Sequence, residues 1–289
     1  MRLLAPALLL LVAGLALVAC SPVAILNAFV PQGGVERSSG IAYGDSPRQR
    51  LDVYAPRGKP AQSPAPVVVF FYGGRWQEGD RARYLFAAEA LTAQGFVVVV
   101  PDYRVYPAVQ YPVFLEDGAR AVAWAKREIT RFGGDPSRIF LMGHSAGAHI
   151  AAMLGYDEEF LAGQGLRRTD VRGVIGLAGP YDFLPLTDAD LQGVFSAAAS
   201  LEATQPISYV HGGEPPSLLI TGDADTTVKP GNTVRLAARL RAAGSTVVER
   251  HYESLNHYTL IARLAAPLRM DDLVQAIAAF VRGETAQPR

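Results

Sequence analysis

From residue 51 onward, unbroken apolar runs alternate with stretches in which apolar residues recur every three or four positions. Residues 67–71 and 97–100 are continuous runs of Val and Phe, the pattern of strands buried on both faces. Residues 51–54 predict an edge strand, and 139–142, 171–177, 218–221 and 246–252 predict further strands. Helical spacing covers 82–93, 111–132, 146–154, 234–243 and 270–281. Such alternation predicts an α/β architecture, a mostly parallel doubly wound sheet covered by helices. Ligands of these sheets sit at the carboxyl ends of the strands. Between the strand ending near residue 178 and the one beginning at 217, apolar pieces at 181–186 and 191–201 predict a small cap over about 180–212.

The amino-terminal pattern is different. Arg2 precedes an apolar stretch over residues 3–19, interrupted by Pro6 and Gly14, that reads as an export signal. It ends at Cys20, the one cysteine of the chain, so no intramolecular disulfide can form. Leu17-Val18-Ala19-Cys20 resembles the lipobox of bacterial lipoproteins. The resemblance implies a signal peptide over 1–19, acyl chains (palmitate among them) on Cys20 and a membrane-anchored protein of the cell envelope. Ser21 in the next position resembles the pattern of lipoproteins sent to the outer membrane, facing the periplasm. A plain cleaved signal and an uncleaved anchor helix are the alternatives. Residues 20–48, rich in Pro, Gly and Ser around the apolar run 23–30, read as a tether leading into a domain over 49–289. The apolar run itself packs either on the domain or on the bilayer.

Composition narrows the chemistry. The 289 residues are 49% apolar and carry 27 basic against 27 acidic side chains, which fits one large globular α/β domain. With zero net charge and no basic cluster, nucleic acid is not an expected partner. No Walker-type loop, no dinucleotide fingerprint and no H-E-x-x-H occurs, so no cofactor and no metal are expected.

One serine stands out. Gly143-His144-Ser145-Ala146-Gly147 joins an apolar strand to an apolar helix, and a strand passing into a helix through G-x-S-x-G makes a sharp turn that holds the hydroxyl above the sheet. A hydroxyl is a poor nucleophile near neutral pH and needs a base, itself oriented by a carboxylate. His257, in the loop between the last strand and a helix near the end of the domain, is the one histidine of five that fits the base. His144, His149, His211 and His251 read as structural. For the carboxylate, Asp223 and Asp225 compete in the loop after the 218–221 strand. Acyl transfer also needs donors for the developing oxyanion. The main-chain N–H of Ala146 is one, and the turn Tyr72-Gly73-Gly74-Arg75-Trp76 after the 67–71 strand offers Gly74 and Arg75.

These residues, in the order Ser, Asp, His, resemble the α/β-hydrolase carboxylesterases, especially branches similar to kynurenine formamidase, acetyl or feruloyl esterases and prenylcysteine methylesterases. The resemblance runs from about residue 51 to the end. It includes Pro101-Asp102-Tyr103-Arg104, Gly133-Gly134-Asp135-Pro136-Ser137-Arg138 and Gly179-Pro180-Tyr181-Asp182. It implies Asp225 as the acid, by the spacing Gly222-x-x-Asp225-x-x-Val228, and supporting roles for Asp102, Arg104 and Asp182. It implies a serine esterase acting through an acyl-enzyme on small or aryl esters. An arylamide hydrolase of the formamidase kind and a non-catalytic binding lipoprotein on the same fold are the alternatives. One position departs: Tyr72 stands where the family usually has His before the paired glycines, which is expected to change the pocket wall.

Overall fold

The structure, a computed structural model, describes residues 22–31, 33–58 and 64–284. The expected signal segment and Cys20 lie outside the described residues. A short helix α1 (Pro22–Ala28) is followed by strands β1 (Val35–Ala42), β2 (Arg50–Pro56) and β3 (Ala65–Phe71). Helix α2 (Leu85–Thr92) leads to β4 (Val97–Pro101), and α3 (Val113–Glu128) to β5 (Gly134–His144). Then come α4 (Ala146–Tyr156), α5 (Glu158–Ala162), β6 (Val171–Leu177), α6 (Ala189–Phe195), β7 (Ser217–Gly222), α7 (Gly231–Ala242), β8 (Val247–Tyr252), α8 (His257–Ala262) and α9 (Asp271–Arg282).

The strands form one eight-stranded sheet in the order β1-β2-β4-β3-β5-β6-β7-β8. Only β2 runs against its neighbours; the six strands from β4 to β8 are parallel. Residues in register on adjacent parallel strands share a face, and successive residues alternate. Val68 is in register with Phe140, and Phe71 with Gly143, so Phe140 and Phe71 lie on opposite faces. The Phe280 ring of α9 packs against Phe140 at 6.1 Å. On the other face Gly118 of α3 is wedged between Phe71 and the Ile150 and Leu154 side chains of α4. Both faces are thus covered, and the apolar runs 67–71 and 97–100 are buried throughout.

Two expectations are corrected at the sheet edge. The strand expected at 51–54 as the edge is β2, second in the sheet, and the edge is β1, drawn from residues expected to be tether. Strand β1, with the sequence VERSSGIA, borders solvent on its open side and needs no apolar alternation, so the pattern hid it. It is held by Asp52, which accepts hydrogen bonds from Arg37 at 2.7 Å and from the Gly40 N–H at 2.8 Å. Arg81 donates to the same carboxylate at 2.8 Å. Helix α1 also docks on the body: Asn27 donates to the Ala82 carbonyl at 2.8 Å and accepts from the Phe86 N–H at 3.1 Å.

The stretch expected as a cap contains α6 and two 3-10 turns, Glu202–Thr204 and Pro206–Tyr209. Val194 and Phe195 of α6 are buried. The segment therefore packs down on the carboxyl end of the sheet.

Candidate active site

Ser145 sits between β5 and α4 with φ 55° and ψ −125°, a left-handed conformation that costs a side-chain-bearing residue energy. The flanking glycines are required by close approach. A Cβ on Gly143 would lie 2.1 Å from the Gly147 carbonyl oxygen, and one on Gly147 would lie 2.0 Å from that of Phe71. The Ser145 N–H donates to the Leu177 carbonyl of β6 at 2.9 Å, which fixes the turn to the neighbouring strand.

Helix α8 begins at His257 because Asn256 caps it: its side chain accepts from the Tyr258 and Thr259 N–H groups, and Thr259 returns a bond to the Asn256 N–H. This holds the imidazole over the elbow. His257 Nε2 lies 2.8 Å from Ser145 Oγ, and His257 Nδ1 lies 2.8 Å from Asp225 Oδ2. The other carboxylate oxygen, Oδ1, accepts from the Thr227 and Val228 N–H groups, both at 2.8 Å. With an acceptor-only carboxylate on Nδ1, the proton sits there, and Nε2 presents its lone pair to the serine hydroxyl. Ser145, Asp225 and His257 are all buried.

Of the two competing aspartates, Asp225 is the one that touches His257. Asp223 faces outward and pairs with His251 Nδ1 at 2.6 Å; His251 also meets Glu249 at 3.1 Å. Partial burial opposes it, but those two carboxylates hold the His251 imidazole above its ordinary pKa. His149 is buried against Trp76, with Nε2 2.8 Å from the Thr204 carbonyl. His211 lies in a turn closed by Glu214, which accepts from the main-chain N–H groups of His211 and Gly212.

His144 is buried, and its Nε2 donates to the His257 carbonyl at 3.0 Å. The two rings lie 4.8 Å apart. Burial, reinforced by the neighbouring His257, pushes the His144 pKa down to about 3, so His144 stays neutral. A histidine in the variable position of G-x-S-x-G thus braces the main chain of the His257 loop, a contact that one-dimensional spacing does not reveal.

The turn after β3 faces the elbow. Gly73 packs directly on Ser145; a Cβ there would meet the serine Cβ at 3.0 Å. The Gly74 carbonyl accepts from the Gln77 and Glu78 N–H groups, and Arg75 and Trp76 follow with φ of 54° and 59°. Arg75, Trp76, Ser145 and Ala146 together line a cavity of about 410 Å³. Its far wall is the cap segment, with Phe183, Leu184, Pro185, Leu186 and Leu191, and its rim carries Asp188, Lys229 and Arg235. Ala146 is the first residue of α4, where main-chain N–H groups have no partner within the helix.

Tyr72 does not form part of this wall, contrary to expectation. Its ring is buried between Tyr84 and Tyr103, with centroids 5.4 and 4.8 Å away. Its hydroxyl donates to Asp102 at 2.9 Å and accepts from Arg48 at 3.0 Å. Asp102 also binds Arg81, Arg104 grips Asp117, and Asp182 binds Arg235. Trp76 is the wall residue that sequence reasoning left without a role. It is buried against Phe183 of the cap and Phe195 of α6.

Residues 51–240 match the BD-FAE family. The chain belongs to that family. This BD-FAE chain is 33% identical over 229 residues to esterase LipC of Mycobacterium tuberculosis, covering 72% of this chain and 56% of LipC. It is 29% identical over 268 residues to a probable isoprenylcysteine alpha-carbonyl methylesterase, ICMEL1, of Arabidopsis thaliana, covering 84% of this chain and 56% of that one. It therefore spans little more than half the length of these curated relatives. Among solved structures, esterase B from Lactobacillus rhamnosis inhibited by a C4-C4 SN3 tributyrin phosphonate superimposes with a TM-score of 0.80 at 21% identity, covering 96% of each chain. At that identity the likeness speaks for the fold, and the fold of this BD-FAE protein is that of the α/β-hydrolases.

Proposed function

We propose that this BD-FAE protein is a serine carboxylic ester hydrolase that acts through an acyl-enzyme. The observation that carries the reading is the unbroken relay Asp225 Oδ2, His257, Ser145 Oγ, with both contacts at 2.8 Å in a buried setting. In this reading His257 Nε2 takes the hydroxyl proton as Ser145 Oγ attacks the ester carbonyl. Asp225 keeps the imidazole in the Nδ1–H tautomer and stabilises the imidazolium. The oxyanion is received by main-chain N–H groups of Ala146 and of the Gly74–Arg75 turn, each worth about 2.7 to 4 kcal/mol. His257 then returns its proton to the leaving alcohol, and water attacks the acyl-enzyme by the same route in reverse. The apolar cap wall of Phe183, Leu184 and Leu191 supports small or aryl acyl groups as substrates.

Labelling by a fluorophosphonate probe tests the reading. The intact protein is expected to become covalently labelled and the Ser145→Ala variant not; an unlabelled intact protein contradicts it and favours a non-catalytic binding role. Acetate and butyrate esters are expected to be turned over faster than palmitate, and a preference for palmitate would overturn the acyl-size part.

We further propose that the chain is anchored to the bacterial cell envelope through acylated Cys20. The support is the apolar segment ending at Leu17-Val18-Ala19-Cys20. Replacing Cys20 by Ala is expected to abolish incorporation of labelled palmitate, and undiminished incorporation would contradict the anchor.

A further inference from the structure

Helix α1 is apolar on two sides. Leu26 of the helix packs against the core and Val30, just after it, is buried, while Ile25 of the helix and Phe29, the residue that follows it, point outward, 40% and 60% exposed. A short helix on a protein surface normally turns charged or polar residues to water. Here no charged residue occurs anywhere between Arg2 and Glu36. The outward face is therefore built for an apolar medium.

Position in the fold says which medium. The two hydrogen bonds of Asn27 pin α1 to Ala82 and Phe86. Ala82, in the 3-10 turn Arg81–Tyr84, and Phe86, in the first turn of α2, come between the carboxyl end of β3 and the return to β4, which is parallel to β3. Helix α1 thus lies at the same end of the sheet as Ser145, which follows the parallel strand β5. Cys20 is two residues before Pro22 in the sequence, so acyl chains on it would be attached next to the helix. An acylated Cys20 brings α1 into the headgroup layer. Arg83, exposed on the 3-10 turn that α1 grips, has no ion-pair partner among the described residues and suits an anionic headgroup.

We propose that α1 lies on the lipid bilayer, with Ile25 and Phe29 entering its interfacial layer, and holds the carboxyl end of the sheet toward the membrane. The proposal rests on the anchoring through Cys20. Helix α1 is then a fixed mount for the domain and not a slack tether, because Asn27 ties it to the body while its outer face is in lipid.

The test uses the full chain in phosphatidylethanolamine–phosphatidylglycerol vesicles whose acyl chains are brominated near the interface. Single tryptophans are introduced as Phe29→Trp, as Ile25→Trp for a second reporter on the same face, and as Arg131→Trp. Arg131 has a 62% exposed side chain just before β5, at the opposite end of the sheet. The native Trp76 and Trp124 are buried and supply a background measured on the parent protein. Emission from positions 25 and 29 is expected to fall at least twofold on brominated vesicles, with that from 131 unchanged. If the protein floats with the vesicles but positions 25 and 29 are quenched no more than 131, the mount is overturned and the anchor stands. If the protein does not float with them, anchor and mount fail together.

Discussion

The guanidinium of Arg75 donates to the carboxylate of Asp188 at 2.7 Å, joining the turn after β3 to the residue that caps α6. Arg75 and Trp76 both hold positive φ, and each is gripped from the cap side, Arg75 by Asp188 and Trp76 by Phe183 and Phe195. Backbone strain of this kind persists only where its surroundings over-determine it. Removing the exposed carboxylate with Asp188→Ala is expected to lower kcat for a short p-nitrophenyl ester several-fold with KM little changed. Asp188→Glu is expected to restore much of the loss. A change confined to KM would place Asp188 in substrate binding alone. Arg75 holds the Asp188 carboxyl below its usual pKa, so the link is intact at neutral pH and is lost as pH falls through that lowered value.

The elbow is a packing constraint as much as a chemical one. A Cβ on Gly147 would meet the carbonyl oxygens of Phe71 and Tyr72 at 2.0 and 2.6 Å. Both are backbone atoms of the central strand and its turn, so no side chain can move aside. Gly147→Ala is expected to cost about 3 kcal/mol or more, read as a lowered melting temperature. An unchanged melting temperature would show that α4 shifts freely.

His144 braces the base loop as a neutral donor. His144→Leu removes the side-chain donor to the His257 carbonyl, a loss of about 1 kcal/mol. Ester turnover is expected to fall about tenfold as the imidazole loses its placement. His144→Gln keeps a donor and is expected to recover most of the rate. Because burial pushes the His144 pKa down to about 3, the shape of the pH–rate profile between pH 5 and 9 is expected to be the same in His144→Gln. A changed profile there would mean that His144 exchanges protons in the working range.

Much of the fold was readable from residues 67 to 282, because strands buried on both faces must be apolar throughout and their helices must carry one apolar face. Ser145, His257 and the pair of aspartates were readable for a related reason: each follows a strand whose end the hydrophobic pattern marks. Choosing between Asp223 and Asp225 required geometry, since both lie in one loop and only side-chain direction separates them. Strand β1 was hidden because an edge strand of a two-layered surface tolerates Glu, Arg and Ser. Tyr72 was misplaced because a residue beside a glycine pair can face the cavity or the core, and the contacts with Tyr84, Tyr103 and Asp102 that decide the matter are remote in sequence.

On the far side of the acid loop, His251 between Asp223 and Glu249 makes a pH-dependent contribution to stability. Its folded pKa lies above the unfolded value of about 6.5. The contribution is therefore fully present below about pH 6.5 and fades as pH rises through the raised folded value. The cluster is substantially exposed, so solvent screening limits it to about 1 kcal/mol. The melting temperature of the parent is expected to exceed that of His251→Ala by roughly 2 °C at pH 5, with the difference vanishing at pH 9. A difference that grew toward pH 9 would reverse the sign of the linkage.

The most direct measurement is steady-state turnover of p-nitrophenyl acetate by the parent and by Ser145→Ala, both checked for equal melting temperature. Loss of the hydroxyl that lies 2.8 Å from His257 Nε2 is expected to lower kcat at least about a thousandfold. Turnover by Ser145→Ala at the parent's rate would contradict the account at its centre.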